Sequence, residues 1–324
     1  MRVLSGIQPT GAIHIGNYLA AIKQFIELQE KNECIYFIAD LHALTEPYDT
    51  KNFQKNILDA VISYLASGLD PEKCILFIQS QVKENTELAW LLSTVTPVGD
   101  LLRMTQYKEK SKQFKRVVNA GLLNYPILMA ADILLYQADI VPVGKDQKQH
   151  VELARTIARK FNSRFGQTFK IPQVLTPRLG EKIMALNNPK KKMSKSLPQS
   201  CLFLFDEPEI IQKKIMSAVT DTGKIIKYDP KRKAGISNLL TIYSLFSGKS
   251  IKELEKKFKG AGYEKFKKSL AELLINSLEP LRRKRKELLS REVYVKEILE
   301  QGRNRAENIA KATIQDVKKK MSLI

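Results

Sequence analysis

Hydrophobic positions in the first half of the chain follow two alternating patterns. Short apolar runs rich in β-branched and aromatic residues are each followed by a longer segment with the spacing of an amphipathic helix. The predicted strands cover residues 2–5, 34–38, 74–79 and 140–143. The predicted helices cover residues 15–30, 53–67, 84–93, 125–136 and 147–161. This alternation predicts parallel strands joined by crossover helices, which is the doubly wound α/β fold.

The second half of the chain has a different pattern. A polar stretch at residues 187–196 is followed, from about residue 207 onward, by segments with the period of amphipathic helices. The turns at Ser247-Gly248 and Gly260-Ala261-Gly262 are predicted to be helix junctions. We therefore predict a Rossmann-like α/β domain over residues 1–186, a mobile loop over 187–200 and a helical domain over 201–324, whose last helix can pack back on the first domain.

Composition narrows the class of protein. A chain of 324 residues with 44% hydrophobic content can bury one large core or a large and a small one. No apolar run approaches the roughly 20 residues that a membrane span needs. The three cysteines are far apart and lack a Cys-x-x-Cys spacing, which predicts a reducing compartment and no zinc site. We expect a cytoplasmic protein that is neither secreted nor membrane-bound.

The charge balance is strongly basic. Lys and Arg number 54 against 34 Asp and Glu, a net charge of +20, and the excess is densest at residues 282–286. Such a charge favours a polyanionic partner, nucleic acid ahead of membrane. A lysine-rich surface that binds nothing in particular explains the charge about equally well. If the partner is nucleic acid, Arg282, Arg283 and Arg285 are the first candidates to contact it.

Two segments carry residues suited to phosphate chemistry. The first signature, residues 6–18, places glycines and His14 between a predicted strand and a helix, where backbone N–H groups can approach phosphate. The second signature, Lys192-Met193-Ser194-Lys195-Ser196, sets two ammonium groups three residues apart in a loop that can close over a triphosphate. Alone, the first also fits an ordinary turn and the second a solvated basic loop.

A third segment places one carboxylate on an apolar helix face. Spacings of four, three and four put Tyr125, Met129, Asp132 and Tyr136 on the same side, and Pro126 suits the first helical turn. Burying a carboxylate is costly unless it is paired. Asp132 therefore needs a hydrogen-bond donor, either from the protein or from a ligand.

Taken together, the two signatures match the paired signatures of class I aminoacyl-tRNA synthetases. Residues 125–136 and 140–150 closely resemble tryptophanyl-tRNA synthetases, and the resemblance covers essentially the whole chain. Asn17 stands where the general class pattern has a second histidine, which is common in the tryptophan enzymes. Further similar stretches are residues 40–43, 103–111, 217–221 and 235–240.

The resemblance implies a set of site residues. Asp132 would accept the indole N–H, with Tyr125 and Gln147 holding the tryptophan ammonium or carboxylate. The implied walls of the indole pocket are Met129, Ile133, Val141 and Val143. The implied catalytic residues are His14, Asn17, Lys192 and Lys195. The other implied ATP-binding residues are Gln8, Pro9, Thr10, Gly16, Gly144, Lys145, Asp146, Ile183, Met193, Ser194 and Ser196. For His42 and His150 a structural role is slightly favoured over catalysis.

The resemblance also implies the reaction and its partners. Tryptophan would be activated by ATP, with Mg²⁺ carried by the phosphates and no metal site in the protein, and then transferred to tRNA(Trp) by a homodimer. The nearest alternative is a tyrosyl-tRNA synthetase, against which the helix containing Met129 and Asp132 argues. A small-molecule nucleotidylyltransferase would lack the second signature and the helical domain. A non-catalytic RNA-binding protein would explain the charge but not Asp132.

Overall fold

Five parallel strands form the centre of the molecule. The computed structural model describes residues 1–9, 11–113, 118–176, 183–195 and 197–324. The strands are β1 (Arg2–Ile7), β2 (Glu33–Ile38), β3 (Cys74–Ile78), β4 (Ile140–Pro142) and β5 (Gln173–Leu175). They lie in the order β3-β2-β1-β4-β5, with every pair parallel. The predicted doubly wound parallel sheet is confirmed, with one short strand, β5, that the hydrophobic pattern did not predict.

Alternate residues of the strands supply two apolar cores on opposite faces of the sheet. Leu4, Ile35 and Phe37 belong to one core, whereas Cys34 and Tyr36 belong to the other. Side chains in a strand point alternately to its two faces, and a parallel sheet is covered by helices on both. This is why the strands read as nearly continuous apolar runs rather than as an alternation with polar residues.

The helices of the first half cover these two faces. A continuous helical segment follows β1 and consists of α1 (Ile15–Asn17), a π-helical turn (Tyr18–Ile22) and α2 (Lys23–Gln29). The remaining helices are α3 (Asp40–Ala43), α4 (Phe53–Ala66), α5 (Glu84–Ser93), α6 (Val98–Leu102), α7 (Thr105–Gln113), α8 (Ala120–Leu135) and α9 (Lys148–Phe165). Most predicted helix boundaries agree with these to within a few residues.

Helix α8 differs most from its prediction. The side chain of Asn119 accepts a hydrogen bond from the backbone N–H of Leu122 at 2.8 Å, which caps the helix and lets it begin at Ala120. Pro126 therefore lies in the second turn, and the expectation that it occupies the first turn is wrong. The cap adds more than a turn of helix before the face that carries Asp132.

The second half of the chain is helical, as predicted. Its helices are α10 (Pro208–Met216), α11 (Ala234–Ser247), α12 (Ile251–Lys257), α13 (Tyr263–Leu289) and α14 (Glu292–Lys320). Gly248 ends α11 in the left-handed conformation at φ 72°, and Gly260, at φ 78°, lies between α12 and α13. Both predicted junctions are confirmed. None of the described helices is long and apolar enough to span a bilayer.

The last helix, α14, packs on the edge of the sheet. A Cβ atom on Gly302 would lie 1.9 Å from the backbone oxygen of Leu76 in β3, so only glycine permits this approach. Beyond Gly302, Ala306, Ala310 and Ile314 join the core on one face of the sheet, and before it Val295 joins the other core. Helix α14 thus covers the β3 edge strand and completes both cores.

Candidate active site

A cavity of about 780 Å³ lies at the C-terminal ends of the central strands. Its lining includes residues from Leu4 to Gln8 in and just after β1, together with Phe37 of β2, Ala39 directly after β2, and Val141 of β4. Helices α7 and α8 supply further lining residues. This is where a doubly wound sheet binds its ligands, because the loops that follow the strands gather there.

Asp132 lies at the closed end of this cavity and is 1% exposed. Gln79 Nε2 lies 2.8 Å from both of its carboxylate oxygens, and His42 Nε2 lies 2.8 Å from Oδ2. Burial raises the pKa of Asp132, and the hydrogen bonds from His42 and Gln79 act in the opposite direction. The protein therefore supplies two hydrogen-bond partners for Asp132, His42 and Gln79. Neither was identified as its partner from the sequence.

Apolar side chains surround Asp132. Met129 and Ile133, one turn before and one residue after it on α8, line the cavity together with Val141 and Val143. All four residues that the resemblance placed in the indole pocket therefore lie around one carboxylate. An apolar slot with a single acceptor is suited to a flat aromatic ligand that carries one N–H.

Tyr125 is held between two polar neighbours at the side of the cavity. Its hydroxyl donates to Gln106 Oε1 at 2.9 Å and lies 2.6 Å from His150 Nε2. Burial, with smaller contributions from His42 and Lys110, lowers the pKa of His150 to about 4, so the ring is neutral at pH 7. Tyr125 and His150 thus share a hydrogen bond whose donor is set by the imidazole tautomer.

The open end of the cavity is polar and brings the two signatures together. Lys195 lines it, and its Nζ donates to the backbone oxygen of Gly11 at 3.3 Å. Burial lowers the pKa of Lys195. Asp146 and Gln147 lie at the same end, and Gln147 Nε2 donates to Asp146 Oδ2 at 3.1 Å. Ammonium, amide and carboxylate groups thus line this polar end, and the ammonium group is suited to bind a phosphate chain.

His14 and Asn17 form the cap of helix α1. The backbone N–H of Asn17 donates to His14 Nδ1 at 3.2 Å, and the backbone N–H of His14 donates to Asn17 Oδ1 at 3.4 Å. Burial, then Lys195 and Lys192, lower the pKa of His14 to about 4. His14 is therefore neutral at pH 7, and its unprotonated Nδ1 is used in the cap.

Backbone hydrogen bonds join the start of the second signature to residues 183–185. Met193 N–H donates to the oxygen of Ile183 at 3.0 Å, and Ala185 N–H donates to the oxygen of Lys191 at 2.8 Å. These bonds form a short antiparallel ladder at the base of the loop. Ile183 and Met193 are buried in the apolar cluster that extends into the helical half. Packing of these two side chains fixes the base of the loop, whereas the Lys195 side chain lines the cavity.

The cavity brings together half of the residues predicted for the site. Those that line it are Gln8, Asn17, Asp146, Lys195 and the seven predicted tryptophan-binding residues. Those placed outside its described lining are Pro9, His14, Gly16, Gly144, Ile183, Lys192, Met193 and Ser194. Thr10, Ser196 and the side chain of Lys145 lie outside the described residues. Lining residues without a predicted role include His42, Thr105, Gln106, Glu109 and Lys110.

The family of the chain follows from comparison with known proteins. The model of the family described as tRNA synthetases class I (W and Y) matches residues 1–279. The chain is 51% identical to the tryptophan–tRNA ligase of Caldanaerobacter subterraneus, over 100% of this chain and 98% of the relative. It is 50% identical to the tryptophan–tRNA ligase of Helicobacter pylori, over 100% and 99% of the two chains. The chain belongs to the tryptophanyl-tRNA synthetase family.

Solved structures agree with this family. The tryptophanyl-tRNA synthetase of Campylobacter jejuni, solved with ADP and tryptophan, superposes with a TM-score of 0.87 at 40% identity, covering 99% of this chain and all of that one. The tyrosyl-tRNA synthetase of Aeropyrum pernix has a TM-score of 0.67 at 22% identity, over 93% of this chain and 89% of that one, and shares the fold alone. The predicted fold class and family are both confirmed.

Two buried neutral histidines make the stability of this synthetase depend on pH. The pKa values of His14 and His150 are about 4 in the folded chain, against about 6.5 when unfolded. The unfolded state then binds more protons between pH 4 and 6.5. The stabilisation is fully present above pH 6.5 and is lost as the pH falls toward 4.

We therefore expect the urea midpoint of His150→Gln to fall less between pH 7.5 and pH 5 than that of the wild type. Glutamine keeps a donor for Tyr125 but has no ionisable ring. Parallel denaturation series at the two pH values measure the difference. An identical pH dependence in both proteins would contradict the neutral burial of His150.

Proposed function

We propose that the 780 Å³ cavity is the site at which this tryptophan–tRNA ligase activates tryptophan with ATP. The observation that carries the proposal is a single buried carboxylate at the closed apolar end of a cavity whose open end holds Lys195. In the reaction, the tryptophan carboxylate attacks the α-phosphorus of ATP and pyrophosphate leaves. A ribose hydroxyl at the 3′ end of tRNA(Trp) then takes the acyl group from the adenylate and releases AMP.

The indole ring occupies the closed end in this proposal. Asp132 Oδ2 already accepts from Gln79 and His42, whereas Oδ1 accepts from Gln79 alone among the described residues. Each carboxylate oxygen has about two lone-pair sites, so the indole N–H is assigned to Oδ1. Tyr125 and Gln147, farther along the cavity, hold the ammonium or carboxylate of the amino acid. An acceptor fixed in this way discriminates against rings without an N–H far better than an apolar slot does.

ATP occupies the open end. Lys195 and Lys192 contact the phosphates and offset the charge that grows on the departing pyrophosphate. Gln8, Asn17 and Asp146 bind the nucleotide, while neutral His14 orients Asn17 rather than supplying a cation. Gly144 keeps this region clear, because a Cβ there would lie 2.6 Å from Asp146 Oδ1. The remaining proposed ATP contacts are Pro9, Thr10, Gly16, Lys145, Ile183, Met193, Ser194 and Ser196.

Rate enhancement comes from positioning and charge rather than from a covalent enzyme intermediate. The substrate carboxylate is itself the nucleophile, so no side chain has to be activated. Magnesium enters as part of the ATP substrate. In the described parts of the chain, no three His, Cys, Asp or Glu side chains are grouped closely enough to hold an ion.

The test of the indole contact is Asp132→Asn. An amide can turn its N–H toward the indole N–H, so tryptophan binding should weaken by about 1.5–3 kcal/mol, the range for a hydrogen bond to a charged group. Exchange of pyrophosphate into ATP should require tryptophan, not tyrosine, in the wild type, and its KM for tryptophan should rise in the variant. The KM for ATP is the internal control. A folded variant with unchanged tryptophan affinity would remove Asp132 from the contact.

Lys195→Ala tests the phosphate end. Because the ammonium acts mainly on charge that develops in the transition state, the rate of adenylate formation should fall much more than tryptophan affinity. Stopped-flow measurement of the first turnover separates the two quantities. Lys191→Ala is the matched control, since Lys191 is an exposed lysine of the same loop. Equal losses in ATP affinity and in the adenylation rate would show that Lys195 only binds the ground state.

Binding of tRNA is assigned to the helical half. We propose that residues 1–186 form the catalytic part, that the loop 187–200 moves during the reaction and that residues 201–324 bind the tRNA. Of the basic cluster on α13, Arg282 is only 9% exposed and donates to Glu279 and to the backbone oxygen of Ile275. Arg285 pairs with Asp59 of α4. Arg282 also donates to the backbone oxygen of Asp206, outside α13, at 3.4 Å. Because both side chains are engaged within the protein, we assign the tRNA contact to the exposed cations of the same cluster.

Within the basic cluster of α13 at residues 282–286, the exposed cations are Arg283, Lys284 and Lys286. Replacing all three with glutamate should impair tRNA charging and spare pyrophosphate exchange. Each lost phosphate contact should also flatten the plot of log affinity against log salt by roughly one unit. The control carries the same charge change at Lys252, Lys256 and Lys259, which are exposed elsewhere in the helical half. Equal losses in both variants would assign binding to overall charge rather than to α13.

A two-fold dimer and a cytoplasmic location complete the proposal. Trp90, Val98 and Leu102 are large apolar side chains exposed within 13 residues of sequence, with Trp90 72% exposed. A self-complementary interface between two copies would bury such a group. The three cysteines, all buried and free, are compatible with a reducing compartment in which translation takes place.

A further inference from the structure

Gln79 contacts the carboxylate of Asp132 from outside the cavity. It follows β3 as the first residue of a 3₁₀ turn, Gln79–Gln81, and its side chain is 0% exposed. Its Nε2 lies 2.8 Å from Asp132 Oδ1 and 2.8 Å from Oδ2. Gln79 is not among the residues that line the cavity, so any effect on a ligand passes through Asp132.

The orientation of the Gln79 amide, with Nε2 toward both oxygens of Asp132, favours the ionised carboxylate. Turning the amide over would bring its carbonyl against two oxygens that also accept hydrogen bonds, which is unfavourable unless Asp132 carries a proton. Asn85 supports this arrangement from α5, because its Nδ2 donates to the backbone oxygen of Gln79 at 3.2 Å. Gln79 Oε1 is buried and has no hydrogen-bond partner among the described residues, so no hydrogen bond there competes with the bond to Asp132.

The surroundings of Asp132 would otherwise favour its neutral form. Burial in an apolar pocket and the nearby Asp40 of α3 raise the pKa of Asp132, while His42, also on α3, lowers it. Tyr136, directly after α8, also lies near Asp132, and Glu84 of α5 lies near that tyrosine, so neither adds a positive charge. His42 contacts Oδ2 alone. Gln79 is thus the one described neighbour that bonds both oxygens and fixes the plane of the carboxylate.

We propose that Gln79 is a positioning residue for tryptophan specificity, holding Asp132 as an ionised acceptor whose Oδ1 is directed to the indole N–H. The inference rests on the proposed contact between Asp132 and tryptophan. It adds that selection of tryptophan depends on a residue 53 positions away that does not touch the substrate.

Removing the amide changes the protonation and the plane of Asp132. With one donor lost, the pKa of Asp132 rises further, and a protonated, freely rotating carboxyl is a poorer acceptor. The ionised form regains affinity as the pH rises, so the KM for tryptophan should fall with increasing pH in the variant. The wild type should show no such slope at neutral pH. Loss of one hydrogen bond to a charged group corresponds to about a tenfold to hundredfold change in discrimination.

The experiment compares Gln79→Leu with Gln81→Leu in the full-length chain. Gln81 belongs to the same 3₁₀ turn but is exposed, which makes it the matched control. Pyrophosphate exchange is measured from pH 6 to 9 with tryptophan and with an analogue that has sulfur in place of the ring N–H. We expect Gln79→Leu to lose discrimination between the two substrates and to gain the pH slope, with the KM for ATP unchanged. Gln81→Leu should behave as the wild type.

A second substitution at the same position keeps the inference testable if Gln79→Leu does not fold. Gln79→Met has nearly the same length and no donor, so it should reproduce the loss of discrimination and the pH slope. Unchanged discrimination in folded Gln79→Met, beside a loss in Asp132→Asn, would overturn the inference and leave the proposed function intact. Unchanged discrimination in Asp132→Asn as well would overturn the proposed contact itself. Equal losses for both substrates without a pH slope would mean that Gln79 is only structural.

Discussion

A carboxylate buried inside an apolar cavity is the constraint that organises this molecule. Desolvation of Asp132 is costly, and the fold offsets it with two donors from separate elements, His42 after β2 and Gln79 after β3. Parallel strands end at the same edge of a sheet, so residues far apart in sequence meet there. The order of the strands is therefore what brings both donors to the buried Asp132.

The part of the cavity that we propose binds phosphate is polar. Lys195 donates there to the backbone oxygen of Gly11, and the Asp146 carboxylate and the Gln147 amide line the same cavity. The backbone ladder beneath Met193 joins this lysine to the helical half, since Met193 is buried in the same apolar cluster as helices α10, α11 and α13. Movement of the helical half relative to the sheet would therefore displace Lys195. A large substrate that bound and moved the helical half would in this way also move the Lys195 ammonium.

The fold was largely predictable because its strands and helices carry strong local patterns. Strands β1 to β3 are continuous apolar runs, whereas β5 has three residues, none fully buried, and offers no comparable signal. The partners of Asp132 lie 53 and 90 residues away from it, and local spacing contains no information about such pairing. The same limit applies to α13, where charge alone did not distinguish buried Arg282 from its exposed neighbour Arg283. Family resemblance supplied the cavity-lining residues that periodicity could not.

Helix α14 has a consequence for how the chain is made. Its residues from Val295 to Val317 complete both apolar cores of a sheet whose strands all precede residue 176. During synthesis from the N-terminus, the sheet emerges from the ribosome with the β3 edge uncovered and its cores open. The α/β half therefore cannot reach its final packing until α14 has been translated. In this molecule the nascent chain must keep an exposed strand edge from pairing with other chains for nearly the whole time of its synthesis.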